Sequence, residues 1–301
     1  MTANKSQFAI IGVPCDYQAA LHETISTIRG IAPAHSPAAI QLGFGLIELA
    51  FEGRLPGYQA LQAPYHNRCH TLEVTVCASR LLHGLHAAGV KLHPRTIDAA
   101  ILGALFHDSG YLKADTESGG TGAQFTVEHV SRSLAFVEHG LAAIDGELRR
   151  WITDAILATD HRVSPGEWTC VSAESELAAQ VAATADIVGQ MSSREYLERL
   201  LFLYYEFREA GVGGFKDLHD LLEKTKSFYQ ITRERLYAHL GGTVDYLARH
   251  FEVVSGESRN HYLELVDRNI AYLDSVLQED RENRLSRLKR GGIIEQALEA
   301  N

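Results

Sequence analysis

Six of the seven prolines in this chain lie before residue 95. A proline inside a helix removes a backbone hydrogen bond and clashes with the preceding turn. The rest of the chain, interrupted only by Pro165 and rich in Ala, Leu, Glu and Arg, is therefore free to be helical almost throughout. The patterning predicts helices over 37–51, 65–88, 94–108, 123–139, 145–160, 173–190, 192–210, 216–240, 242–252 and 258–289. Ser192 to Glu195 read as a capping box for the seventh of these. A short strand is expected at Phe8–Val13, and loops at Arg54–Pro64 and at Ser109–Gly122, which carries three glycines near its end. No repeat is visible, and no linker is long enough to separate domains. The expected fold class is all-α, a single multi-helix bundle with an irregular N-terminal extension and extra C-terminal helices.

Charge narrows the function classes. The net charge of −10 argues against a general nucleic-acid surface. No apolar run approaches the roughly 18 residues of a membrane span. Met1 to Gln7 lack the basic flank and apolar core of a secretory signal. Cys15, Cys69, Cys77 and Cys170 form neither a CxxC pair nor a disulfide-framework spacing. The expectation is a cytoplasmic protein with no nucleic-acid or membrane partner, and homo-oligomerisation stays open.

Two motifs carry chemistry. Tyr65-His66-Asn67-Arg68-Cys69-His70 places two histidines four apart, on one face if the segment is helical. Leu105-Phe106-His107-Asp108 ends the almost wholly apolar run from Ile97 to Phe106, which Asp98 alone interrupts with a charge. Burying a His-Asp pair among apolar side chains is costly without a compensating partner, and a divalent cation is the usual one. A further acid, Asp186, sits in the apolar helix Val181-Ala182-Ala183-Thr184-Ala185-Asp186-Ile187-Val188.

The order H…HD…D, one helix for each element of the pattern, resembles the HD superfamily of metal-dependent phosphohydrolases. Within it, Tyr65-His66-Asn67-x-x-His70 is similar to the opening motif of the cyclic-nucleotide phosphodiesterases. Ile156-Leu157-Ala158-Thr159-Asp160 and Thr184-Ala185-Asp186 are also similar to segments of those enzymes. The likeness covers about residues 65–190. It implies an HD-type metal-binding core over 61–210, between an extension at 1–60 and a helical extension at 211–301. It implies one or two divalent ions per chain, Mn, Mg, Zn, Fe or Ni. His70, His107, Asp108 and Asp186 would be ligands, with Asp108 able to bridge two ions. His66 would be the general acid, with Tyr65 and Asn67 supporting the ligands. His129 is expected at the site, near a second ion. His161 is either a ligand of that ion or a loop residue. Lys113, a short turn after His107-Asp108, would meet the substrate phosphate, although the spacing HDSGYLK is longer than the common one.

The resemblance breaks off after Asp186. The run Ile187-Val188-Gly189-Gln190 is unlike the segment that follows the last acid in phosphodiesterases, and no glutamine aligns with the one that grips their base. The expected function is a phosphohydrolase acting on a small nucleotide-like phosphoester. Two alternatives stand beside it. One is a mixed-valent di-iron oxygenase, for which His70, His107, Asp108, His129, His161 and Asp186 would be the ligands. The other is a sensor that keeps the fold without catalysis.

Overall fold

The computed structural model describes residues 10–13 and 15–295. Among these the chain is all-α. No strand is present, and β structure is limited to an isolated antiparallel bridge between Tyr58 and Ala114. The helices are α1 (Tyr17–Ile31), α2 (Ala38–Phe51), α3 (Arg68–Ala87), α4 (Pro94–Phe106), α5 (His129–Gly140), α6 (Gly146–Thr159) and α7 (Ala173–Met191). They continue with α8 (Tyr196–Glu209), α9 (Leu218–Glu234), α10 (Tyr246–Ser255), α11 (His261–Leu277) and the short α12 (Arg284–Arg287).

The bundle is built around α7, which packs against α3, α4 and α6. Its Val181, Ala182, Ala183, Ala185 and Val188 are all buried, so it has no solvent stripe there. Helix α4 is equally enclosed. Ile97, Ile101, Leu102, Leu105 and Phe106 are at most 1% exposed. Each such side chain contributes about 1.5–3 kcal/mol through removal from water. Gly103 lets α4 lie against α6, since a Cβ there would stand 2.5 Å from that of Ala155. Helices α1 and α10 cover α3, and α11 lies on α7. No helix among the described residues is long and apolar enough to cross a membrane.

Several local expectations need correction. Phe8 and Ala9 of the predicted strand lie outside the described residues, and Ile10–Ile11 are helical rather than extended. Helix α1 falls in the region read as irregular; Asp16 starts it by accepting the Ala19 N–H (2.8 Å). Helix α3 begins at Arg68, not Tyr65. The Asn67 side chain accepts the N–H groups of Cys69 (2.9 Å) and His70 (3.2 Å), which caps the helix there. The capping box belongs to Ser172 and Ser175 of α7, whereas Glu195 precedes α8 without a side-chain cap. The predicted helix 258–289 stops at Leu277, where Arg284 folds back to donate to the carbonyls of Leu277 (3.2 Å) and Glu279 (3.4 Å).

Candidate metal centre

Four side chains from three helix regions converge in the core. His70 comes from the first turn of α3, His107 and Asp108 from the end of α4, and Asp186 from the middle of α7. All four are at most 7% exposed. The Nε2 atoms of His70 and His107 are 3.2 Å apart, and each is 3.1 Å from Asp108 Oδ2 and 3.4 Å from Asp186 Oδ1. Donors around a small cation with bonds of roughly 2.0–2.2 Å stand roughly 3–3.5 Å apart, as these do. Asp108 Oδ2 is buried without a hydrogen-bond partner. A cation would satisfy it, and the N/O donor set suits Zn, Mn, Fe or a similar ion.

The backbone fixes the ring orientation. His107 Nδ1 donates to the Ala104 carbonyl (2.7 Å), which leaves Nε2 as the nitrogen that faces the cluster. His129 uses the same device: its Nδ1 donates to the Thr126 carbonyl (2.7 Å). Its Nε2 faces the second oxygen of Asp108 at 3.8 Å. Asp108 thus offers one oxygen to the four-donor cluster and the other toward His129, the arrangement a bridging carboxylate needs. Burial holds His129 below the ordinary histidine value, which favours the neutral ring a ligand requires.

Charge within the cluster is mutual. Burial opposes protonation of His70, but the carboxylates of Asp108 and Asp186 raise it to about 9. Burial likewise opposes ionisation of the acids, yet His107 and His70 hold both Asp108 and Asp186 well below the usual carboxylate range.

The docking of α5 explains how His129 reaches the site. A 3₁₀ turn, Ser109–Tyr111, follows Asp108. Ser133 Oγ accepts the Gly110 N–H (2.8 Å) and donates to the His107 carbonyl (2.6 Å). Arg132 donates to the carbonyls of Gly110 and Leu112 (both 2.8 Å). A Cβ on Gly110 would lie 1.9 Å from the His129 carbonyl oxygen, so only glycine permits this approach.

His66 lies outside α3 rather than one helical turn before His70, so the shared-face expectation is corrected. Its ring stacks on Tyr111 with centroids 4.4 Å apart and planes 10° from parallel. Its Nδ1 donates to Glu206 Oε2 (2.5 Å), which leaves Nε2 as the free nitrogen. The same carboxylate accepts the backbone N–H groups of Tyr65 (2.7 Å) and His66 (3.3 Å). Tyr65 donates through its hydroxyl to Gln190 Oε1 (2.6 Å), and Gln190 Nε2 donates to Asp186 Oδ1 (3.2 Å). Tyr65 and Gln190 thereby orient the last acid.

His66, His107, Asp108, His129 and Asp186 line a cavity of about 430 Å³. His161 lines it too, against Phe228 (ring centroids 5.8 Å), but stands outside the close group of His70, His107 and Asp186. Lys113 is placed elsewhere. Its amine donates to the carbonyl of Gly120 (2.7 Å) and approaches Gln62 (3.4 Å), so it supports the glycine loop and does not face the cluster.

Glu206 is missed by the sequence reading, although a signal exists. It is a lone acid in Tyr204-Tyr205-Glu206-Phe207 and is fully buried, the same kind of misfit that singles out Asp186. The cysteine expectation also needs correction. Cys15 and Cys69 form a disulfide across 54 residues, which ties the segment before α1 to the first turn of α3. Cys77 and Cys170 are free.

The family model described as Npun_R2479-like matches residues 47–255. The chain belongs to that family. The stretch matched by the Npun_R2479-like model contains the four cluster residues, His66, His129 and Glu206. No curated protein matches the chain.

Proposed function

We propose that this Npun_R2479-like protein is a metal-dependent phosphohydrolase of the HD type that cleaves a small phosphoester. The observation that carries this reading is the pairing of two units at one cavity: the four-donor cluster with Asp108 turned toward His129, and the His66–Glu206 pair beside it. One or two divalent cations held there would neutralise phosphoryl oxygens and acidify water. His70, His107, Asp108 and Asp186 would hold one ion, and Asp108 with His129 would offer donors to a second. Glu206 accepts the His66 Nδ1–H and fixes the ring, so that Nε2 is the atom through which a proton can be given to the departing oxygen. Tyr65 and Gln190 keep Asp186 aimed at the cluster while the substrate binds.

The di-iron oxygenase reading calls on both His129 and His161 as ligands; both rings line the cavity, and both lie outside the close group of His70, His107 and Asp186. A sensor has no use for a proton donor anchored on a buried carboxylate. The expectation of a reducing cytoplasm stands against the Cys15–Cys69 disulfide, which such a compartment would hold open.

The test is hydrolysis of bis(p-nitrophenyl) phosphate by protein loaded in turn with Mn, Mg, Zn, Fe and Ni. Activity with at least one ion, lost in His107→Ala together with bound metal, is expected. His66→Ala should keep the metal and lose turnover. No hydrolysis with any ion, or full activity in His107→Ala, would overturn the proposal.

A further inference from the structure

The cavity has two unlike ends. The cluster and His66 form one. The other is walled by Leu200, Leu203 and Phe207 of α8, Val212 and Phe215 of the following loop, and Phe228 of α9. Phe207 and Phe215 stack face to face, with centroids 5.3 Å apart and planes 9° from parallel. Beyond the His161 ring, which stands edge-on to Phe228 (centroids 5.8 Å), this end offers little to a polar ligand. The hydroxyls of Thr126, Thr159 and Thr225 each donate to a carbonyl of their own segment (2.7, 2.8 and 2.8 Å). Gln190 is occupied by Tyr65 and Asp186. The cations are occupied as well. Arg162 pairs with Asp160 (2.7 Å), and Lys224 binds Asp220 (2.9 Å) and the Gly214 carbonyl while standing over the Phe215 ring (5.4 Å).

A sugar, a nucleobase edge or a second phosphate placed there would find His161 and little else to pair with, while giving up part of its hydration. An apolar group would displace water from an apolar wall, which is favourable. The geometry points to a substrate whose phosphate head meets the cluster and whose organic body is an uncharged aromatic or alkyl group held between Phe207, Phe215 and Phe228. The head-group half rests on the phosphohydrolase reading above; the apolar half rests on this wall alone. In the reaction, water supplies the oxygen of the new P–O bond. The bond from phosphorus to the organic oxygen breaks, and that oxygen leaves with a proton as a phenol or alcohol.

Two measurements on the full chain separate the halves. The first is fluorescence titration with 2-naphthol, which carries no phosphate, against wild type, Phe215→Ser and Leu203→Asn. The second is kcat/KM of the metal-loaded enzyme for 2-naphthyl phosphate, methyl phosphate and adenosine monophosphate. Saturable naphthol binding is expected, weakened about tenfold or more in both variants, the order of effect for losing one buried apolar contact. Circular dichroism and metal content identify a variant that has unfolded, and the second variant then decides. The naphthyl ester should exceed the methyl ester and the nucleotide by at least about tenfold. Naphthol binding without hydrolysis of any ester upholds the apolar site and removes the hydrolase reading. Hydrolysis that favours the nucleotide, with no naphthol binding, removes the apolar-substrate inference and leaves the hydrolase reading in place. Naphthol binding unchanged in both folded variants also overturns it.

Discussion

Replacing Glu206 by glutamine tests the link between fold and chemistry most directly. The carboxylate is fully buried on α8, about 140 positions along the chain from His66, and it accepts three N–H groups from Tyr65 and His66. Glutamine keeps the shape and one acceptor but removes the charge. Its amide nitrogen would also oppose the Nδ1–H of His66. A hydrogen bond to a charged partner is worth about 1.5–3 kcal/mol. At 1.36 kcal/mol per decade, losing it where His66 must carry a proton predicts a fall in kcat of about 10- to 150-fold. Glu206 touches none of the four cluster side chains, so bound metal measured by elemental analysis should not change. Because Glu206 acts through His66, the double variant His66→Ala/Glu206→Gln should be no slower than His66→Ala alone. The assay is steady-state hydrolysis of bis(p-nitrophenyl) phosphate by metal-loaded protein. Wild-type kcat in Glu206→Gln, additive losses in the double variant, or metal loss in step with activity would each refute the reasoning.

Three further outcomes follow from the packing. Gly110→Ala forces a Cβ against the His129 carbonyl, where 1.9 Å is available. It should destabilise by about 1–3 kcal/mol in thermal melts and lower metal stoichiometry by displacing α5. His35 donates to Asp98 at 2.9 Å, and that hydrogen bond raises its pKa above the usual histidine value. A raised histidine contributes stability below the unfolded pKa and loses it as pH rises through the folded one. The melting-temperature gap between wild type and Asp98→Asn should therefore be widest at about pH 5.5 and shrink in the alkaline range. The Cys15–Cys69 bridge closes 54 residues. On the chain-entropy account its reduction lowers stability by up to about 4 kcal/mol, which denaturant unfolding with and without reductant measures; an unchanged midpoint would exclude the bridge.

What the sequence discloses, and what it conceals, follows the range of the forces involved. The helices of the core are legible because burial on several sides leaves long apolar runs such as Ala99–Phe106. The cluster is legible for the same reason, since His107, Asp108 and Asp186 are polar residues where the run leaves no room for them. Helix ends are less legible. Asn67 belongs to the histidine motif by sequence, but its capping bonds set the start of α3, which puts His66 outside the helix. The boundary at Leu277 depends on Arg284 turning back onto two carbonyls, a contact between residues with no local pattern. Lys113 is near His107-Asp108 along the chain, yet the turn after Asp108 carries its amine to the glycine-loop carbonyls.

Glu206 shows why the proton-transfer half is harder to read than the metal half. Metal ligands must be polar inside apolar segments, so each betrays itself singly. Glu206 is a misfit of the same kind, but what it does is identified only by its partner, and His66 is about 140 positions away in sequence. The two halves meet at Asp108. The end of α4 at Phe106 lets His107 and Asp108, which are adjacent in sequence, turn toward one point, with Nε2 and Oδ2 3.1 Å apart. The glycine-dependent docking of α5 then brings His129 to the other oxygen. On the proposed reading, binding of a second ion would therefore depend on Gly110 as much as on any ligand. If Gly110→Ala removes one of two bound ions and leaves the other, Asp108 is the bridge; if it removes both or neither, the two oxygens do not serve separate ions.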